Sequence, residues 1–345
     1  MTLTCRPFGL ELVHPWKIAR GEGTNTYPVL LLELNDDAGL VGLGESAPSS
    51  RYGETVASGR AFVEKVDPRR LSFADVPRSM HYLDSVAPGE MSAKCAFNIA
   101  LLDGAARLAG KAIYDHLGLG FREGQHVTSF SIGIDSPEVI RQKVLAATHY
   151  PVLKLKVGVP GDHENLAALR SVAPTKPVRV DANEGWKTKE EALDRLAWLA
   201  QDGHIQFVEQ PMPAGAPAAD GVWLKERSPL PIFADESYHT AADLSRVVDC
   251  FHGVNVKLVK SGGISAGFDA LSAARKEGLK TMLGCMIETS VLISAAAHLA
   301  ELCDYLDVDG NLLIKNDPYL GVTAEKGRLS FAQTLEPHGL RVHAK

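Results

Sequence analysis

Eight short β-rich runs recur at a regular interval through the last two-thirds of this 345-residue chain. They are VTSFSIGI (127–134), VLKLKVG (152–158), VRVDAN (178–183), QFVEQP (206–211), PIFADES (231–237), VNVKLVK (254–260), TMLGCMIE (281–288) and YLDVDG (305–310). Lys156, Asp181, Glu209, Asp235 and Lys257 mark the interval, at spacings of 25, 28, 26 and 22 residues. A strand, a helix and two short loops use about that length. Eight such units predict an α/β chain folded as a (β/α)8 barrel, with a doubly wound open sheet as the structural alternative.

The segment ahead of the barrel reads as α+β. Residues 28–34 and 40–45 are strands about a turn at 35–39, and a helical pattern follows from 55 to about 119. Its clearest piece is 92–110, with Ser92 as N-cap. Gly39, Gly42 and Gly44 lie in the hairpin and open no helix, so a dinucleotide loop is a weak reading. The expected organisation is a capping domain over 1–125, completed by 321–345 packing back on it, and a barrel over 126–320.

Composition narrows the functional classes. Apolar residues are 45% and charged ones 23%, which excludes a disordered or low-complexity chain. No apolar run approaches the ~20 residues of a membrane span, and the N-terminus lacks the pattern of a signal peptide. A net charge of −6 without a Lys/Arg block argues against nucleic acid or an anionic membrane as partner. Five scattered cysteines with no C-x-x-C point to a reducing cytoplasm. His298, within an apolar stretch, reads as a helix residue without catalytic duty. The expected partner is a small molecule, and the expected assembly a homo-oligomer.

The charges are placed where a soluble strand would not place them by chance. Asp181 ends VRV, Glu209 ends QFV and Asp235 ends IFA. Taken alone, each is an ordinary helix cap or loop charge. Three on consecutive units, with Lys154, Lys156 and Lys257 on the flanking strands, are a different matter. Buried charge is costly unless paired or bound to a metal, and strand C-termini form the active face of a barrel. All-oxygen ligation suits Mg²⁺ or Mn²⁺.

The lysines have their own logic. Lys154 and Lys156 precede the three acids and Lys257 follows them, so a closed ring sets Lys156 across the mouth from Lys257. Two bases facing across a substrate are what a 1,1-proton transfer needs. A nearby cation is expected to lower their pKa values toward neutrality.

Lys154-Leu-Lys156, Asp181-Ala-Asn183, Glu209-Gln-Pro211, Asp235-Glu-Ser237 and Asn255-Val-Lys257-Leu-Val-Lys260-Ser-Gly-Gly263 together resemble the enolase superfamily, muconate-lactonizing-enzyme subgroup. Ala96 to Gly118 and Gly44-Glu45-Ser-Ala-Pro48 extend the likeness into the cap. The resemblance implies that Asp181, Glu209 and Asp235 bind Mg²⁺, that Lys156 and Lys257 are the acid/base pair, and that Lys154 contacts the substrate carboxylate. Thr128 to Gly133 with Ser131, Gly284 to Thr289 with Glu288, and Asp307-Val-Asp309 most resemble dipeptide epimerases. That implies substrate contacts from Ser131 and Glu288, and an α-ammonium group received by Asp307 and Asp309. Arg20, in the loop after the first cap strand, is the candidate for the second side chain of a dipeptide, which remains acidic, hydrophobic or cationic. o-Succinylbenzoate synthase, N-acylamino-acid racemase and cycloisomerase are alternatives within the subgroup, but their substrates lack a free ammonium group.

Overall fold

The computed structural model describes residues 1–19 and 23–345. Its first part is an antiparallel sheet of β1 (Thr2–Trp16), β2 (Thr24–Asn35) and β3 (Val41–Ser46), in that order. The residue pattern does not mark β1, which the resemblance alone implied as the strand ahead of Arg20. It is an edge strand carrying Pro7 with only Leu10 and Leu12 buried, so it shows little of the apolar alternation that marks a strand. Helices α1 (Val56–Val63), α2 (Val76–Val86) and α3 (Met91–Leu108) cover the sheet.

The seat of α3 explains the hairpin glycines. A Cβ on Gly42 would stand 2.1 Å from the Ala100 carbonyl oxygen, and one on Gly44 would stand 2.0 Å from that of Ala96. Gly42 and Gly44 let helix backbone rest on strand backbone. The expected N-cap is corrected too. Ser92 lies inside the first turn, where its hydroxyl meets Ser46 at 2.9 Å. The helix end is capped from afar: Glu54 accepts from the N–H groups of Met91 at 2.6 Å and Ser92 at 3.0 Å.

The barrel strands are β4 (Phe130–Ile132), β5 (Leu153–Lys156), β6 (Val178–Asp181), β7 (Ile205–Glu209), β8 (Ile232–Ala234), β9 (Gly253–Lys257), β10 (Lys280–Gly284) and β11 (Tyr305–Asp307). They pair in parallel and in chain order. A parallel bridge between Thr128 and Leu306 brings the last strand against the first, which settles for a barrel over an open sheet. The eighth unit is abbreviated, with the 3-10 turn Gly310–Leu313 after β11. Phe207, Phe233, Met282 and Tyr305 fill the barrel base, and the Phe207 and Phe233 rings stack at 4.2 Å. The buried Arg179 guanidinium lies over the Tyr305 ring at 5.1 Å and the Phe207 ring at 5.8 Å.

The tail makes contacts with α3 of the cap. The Leu340 N–H donates to Asp103 of α3 at 2.7 Å, and Arg107 reaches Glu336 at 3.0 Å. It also touches the barrel, where Val127 bridges Arg328. His298 is buried and structural: its Nδ1 accepts from the Tyr114 N–H, and its Nε2 faces the Leu340 carbonyl at 3.0 Å. Burial pushes its pKa down to about 3, so the ring is neutral. Among the described residues no helix is long and apolar enough to cross a membrane.

Candidate active site

Strand register assembles the rim. Lys156, Asp181 and Glu209 are direct Cα partners across β5, β6 and β7. Lys257, Gly284 and Asp307 are partners across β9, β10 and β11. Asp235 is the first residue after β8. The three acids therefore occupy the three strands between Lys156 and Lys257, whose strands lie four apart in a ring of eight. Lys154, two residues before Lys156, projects to the same side.

Asp181, Glu209 and Asp235 are fully buried, with one oxygen of each lying within 4.8 Å of the others. Asp181 Oδ1 accepts from the Asn183 N–H at 2.9 Å, while Oδ2 meets Lys156 at 2.6 Å and Lys154 at 3.1 Å. Glu209 Oε1 accepts from the Asn255 amide at 2.7 Å, while Oε2 lies 2.7 Å from Lys154. Asp235 Oδ1 accepts from Lys260 at 2.5 Å, while Oδ2 accepts from Lys257 at 2.8 Å. In each acid, one oxygen is tied from behind and the other faces the rim lysines Lys154, Lys156 or Lys257.

Burial opposes ionisation of Asp181 and Asp235, but Lys156 and Lys154 on the first, and Lys257 and Lys260 on the second, hold both carboxyls below the usual range. For Glu209, burial and the Asp181 charge prevail and push its pKa up to about 8. Burial likewise opposes charge on Lys154 and Lys257, yet the carboxylates against them hold both amines well above the ordinary value.

The three acids fit a hard divalent cation. The donor set is all oxygen, the geometry is convergent, and Glu209 Oε2 has no hydrogen bond of good geometry to satisfy it.

Across the rim, Asp307 Oδ2 meets Lys154 at 2.6 Å and Oδ1 accepts from Ser129 at 2.6 Å. Asp309 accepts from the Ser131 N–H at 2.6 Å and faces its hydroxyl at 3.3 Å. The strand ends at Asp307, so Asp309 lies beyond it rather than on it, at the start of the 3-10 turn. Both acids still line one cavity with Lys154, Lys156, Lys257 and Ser131, about 780 Å³ including its open mouth. Burial and the Asp307 charge raise Asp309 to about 7.

Glu288 is not brought to this cavity. Its Oε1 accepts from the Met286 N–H at 2.8 Å, and burial followed by the charge of Glu45 raises its pKa to about 8. Arg20 lies outside the described residues.

Sequence reasoning assigned no role to several residues that shape the site. Trp16 lines the cavity with its ring centroid 5.9 Å from Lys156 Nζ. Arg51 of the cap grips Glu184, beyond β6, with two bonds of 2.8 Å. Asn255 and Lys260 flank Lys257 and tie two of the acids. Their signal was present in the motif around Lys257, where a second lysine three residues on has no obvious solvent-facing purpose.

Two family models match the chain. "Mandelate racemase / muconate lactonizing enzyme, N-terminal domain" covers residues 2–118, and "Enolase C-terminal domain-like" covers 138–321. Among curated proteins, the chain is 63% identical over 341 residues to the L-Ala-D/L-amino acid epimerase of Pedosphaera parvula, covering 98% of each. Among solved structures, it resembles a substrate-liganded L-Ala-D/L-Glu epimerase from Bacillus subtilis, with a TM-score of 0.91 at 28% identity over 100% of this chain and 98% of that one. It is similar also to a dipeptide epimerase from Cytophaga hutchinsonii complexed with Mg and D-Ala-L-Val, with a TM-score of 0.91 at 26% identity over 100% and 96%.

Proposed function

The chain belongs to the mandelate racemase / muconate lactonizing enzyme family of the enolase superfamily, and within it we propose a Mg²⁺-dependent dipeptide epimerase. The observation that carries this is the order of groups around the rim. Lysines stand at opposite sides of the mouth, with three buried carboxylates on the strands between them. The division into a cap over 1–125 with 321–345, and a barrel over 126–320, is the one we adopt.

In this reading Asp181, Glu209 and Asp235 hold Mg²⁺. The Mg complex of the Cytophaga protein favours that ion, and Mn²⁺ is not carried further. When bound, the ion supplies electrostatic stabilisation of negative charge on the substrate carboxylate. Lys154 adds a second positive charge there. One of Lys156 and Lys257 removes the proton from the α-carbon, leaving an enediolate, and the other returns a proton to the opposite face. Each then holds the proton state its partner began with, so the enzyme works in both directions.

Asp307 and Asp309 receive the free ammonium end. Ser131 keeps Asp309 in place. Asp307 serves twice, since it also orients Lys154. This favours a dipeptide over the N-acylated or non-amine substrates of other subgroup members, whose ends carry no positive charge to meet the two buried acids. The test is a dipeptide library incubated with enzyme and Mg²⁺ in D₂O, read by mass for α-deuterium. Uptake by free dipeptides, lost after metal removal, is expected. Full turnover in excess chelator would sink the metal assignment, and exchange confined to N-acyl substrates would sink the dipeptide.

A further inference from the structure

Each acid of the trio has one oxygen tied from behind, but the three ties are chemically unequal. Asp181 is tied by a backbone N–H, Glu209 by the neutral amide of Asn255, and Asp235 by the full positive charge of Lys260. The Lys260 side chain is 0% exposed. Besides Asp235 Oδ1, among the described residues its ammonium meets only backbone carbonyls: Asp235 at 2.5 Å, Tyr238 at 3.1 Å and Asn255 at 3.4 Å. It is absent from the cavity lining, whereas Lys154, Lys156 and Lys257 are all part of it. An ammonium has three N–H donors and no acceptor, so a cage of four oxygens leaves it nothing to offer a substrate. Its reach ends at Asp235.

We propose that Lys260 is a positioning residue that occupies Asp235 Oδ1, so that this acid offers a divalent cation Oδ2 alone, and whose fixed charge restrains how tightly the trio grips the cation. The proposal rests on the reading that the trio holds Mg²⁺. Carboxylates ligate through one oxygen or two, and Mg²⁺ demands near-ideal octahedral geometry. Blocking one oxygen of Asp235 leaves a single ligand geometry. Asn255 does the same for Glu209 without adding charge.

A lysine that merely held two strands together would weaken metal binding and activity together when removed. A charge that restrains the grip does the opposite to binding. Calorimetric titration of the metal-free full-length protein with Mg²⁺ separates the two. Lys260→Met should bind Mg²⁺ about tenfold tighter, the lower end of what one unit charge a few ångströms away exerts in a partly screened site. Its kcat on an epimerisable dipeptide should fall. Asn255→Ala removes a tie but no charge, and should leave Mg²⁺ affinity within about threefold of the parent, because no ionic term changes.

Unchanged or weaker Mg²⁺ binding by Lys260→Met overturns the proposal, as does an equal rise in Asn255→Ala. Should Lys260→Met fail to fold, the crystal structure of the parent protein with Mg²⁺ decides. Asp235 ligating through Oδ2 alone, with Lys260 still on Oδ1, supports the proposal, and both oxygens on the ion overturn it. A parent protein that gives no Mg²⁺ binding heat overturns the metal reading itself, a separate failure.

Discussion

The seat of α3 and the rim of the barrel are both buried, but by opposite means. Under α3, residues Ser92 to Ala106 are all buried, and glycines let backbone touch backbone. At the rim, buried carboxylates and ammonium groups stand 2.5 to 3.1 Å apart. Apolar contact is favourable without further conditions. A buried ion pair seldom stabilises more than well-packed apolar residues of the same volume would. One region is organised for stability. The other sets dense, paired charge into the core for the sake of chemistry. Changes in the first should therefore cost folding and spare turnover, and changes in the second should do the reverse.

The largest effect should come from the lysines. Lys156→Ala and Lys257→Ala should each lower kcat for epimerisation by at least about a thousandfold, roughly 4 kcal/mol. Each variant should still exchange the α-proton of one epimer, the one facing the surviving base, and melt within about 4 °C of the parent. Epimerisation and deuterium uptake measured separately check this, and intact epimerisation in Lys257→Ala would replace the two-base mechanism with one base.

Gly44→Ala should break the comparison from the other side. Its Cβ meets a backbone oxygen at 2.0 Å that no side-chain rotation relieves. A loss of about 3 kcal/mol in denaturant unfolding is expected, with kcat per folded molecule unchanged. A loss below about 1 kcal/mol, within the range of ordinary surface changes, would mean that helix and sheet part easily.

Asp309→Asn should weaken kcat/KM for free dipeptides by about 1–3 kcal/mol, the worth of a hydrogen bond to a charge. An N-acetyl analogue should be barely affected. Equal losses for both substrates would assign the pair to the fold and leave the function at the family level.

The smallest effect concerns pH. Glu288 has the ordinary value of 4.5 when unfolded, and burial followed by the Glu45 charge pushes it up to about 8 when folded. Between those values the folded protein keeps a proton that the unfolded chain has released, so this contribution is complete below about pH 4.5 and is lost as pH rises toward 8. Glu45, raised to about 7 by burial, acts with the same sign. Glu288→Gln should shrink the fall in stability between pH 5 and pH 8 by roughly 1–2 kcal/mol, a discounted share of the linkage. Unfolding free energies at the two pH values check it, and an unchanged fall would show that Glu288 is already ionised in the folded protein.

The barrel, and the gathering of Lys156, Asp181, Glu209, Asp235 and Lys257 at one rim, were legible from the chain alone. A parallel strand repeat is local, and in-register strands carry residues at matching strand ends to the same face. What stayed illegible depends on pairs far apart in sequence. Glu54 caps α3 from 37 residues away, and Glu45 accepts from Thr289 across 244. Glu288 is not among the residues lining the cavity although its motif promised a contact, and its Oε1 accepts from the Met286 N–H in its own turn, a bond that no spacing announces. Asn255 and Lys260 sat in plain view, but no spacing says which oxygen of which acid each will hold. Periodicity decides which face a residue joins. Only the closed ring, where each carboxylate has one oxygen toward the rim lysines and one toward the wall, decides what that residue does there.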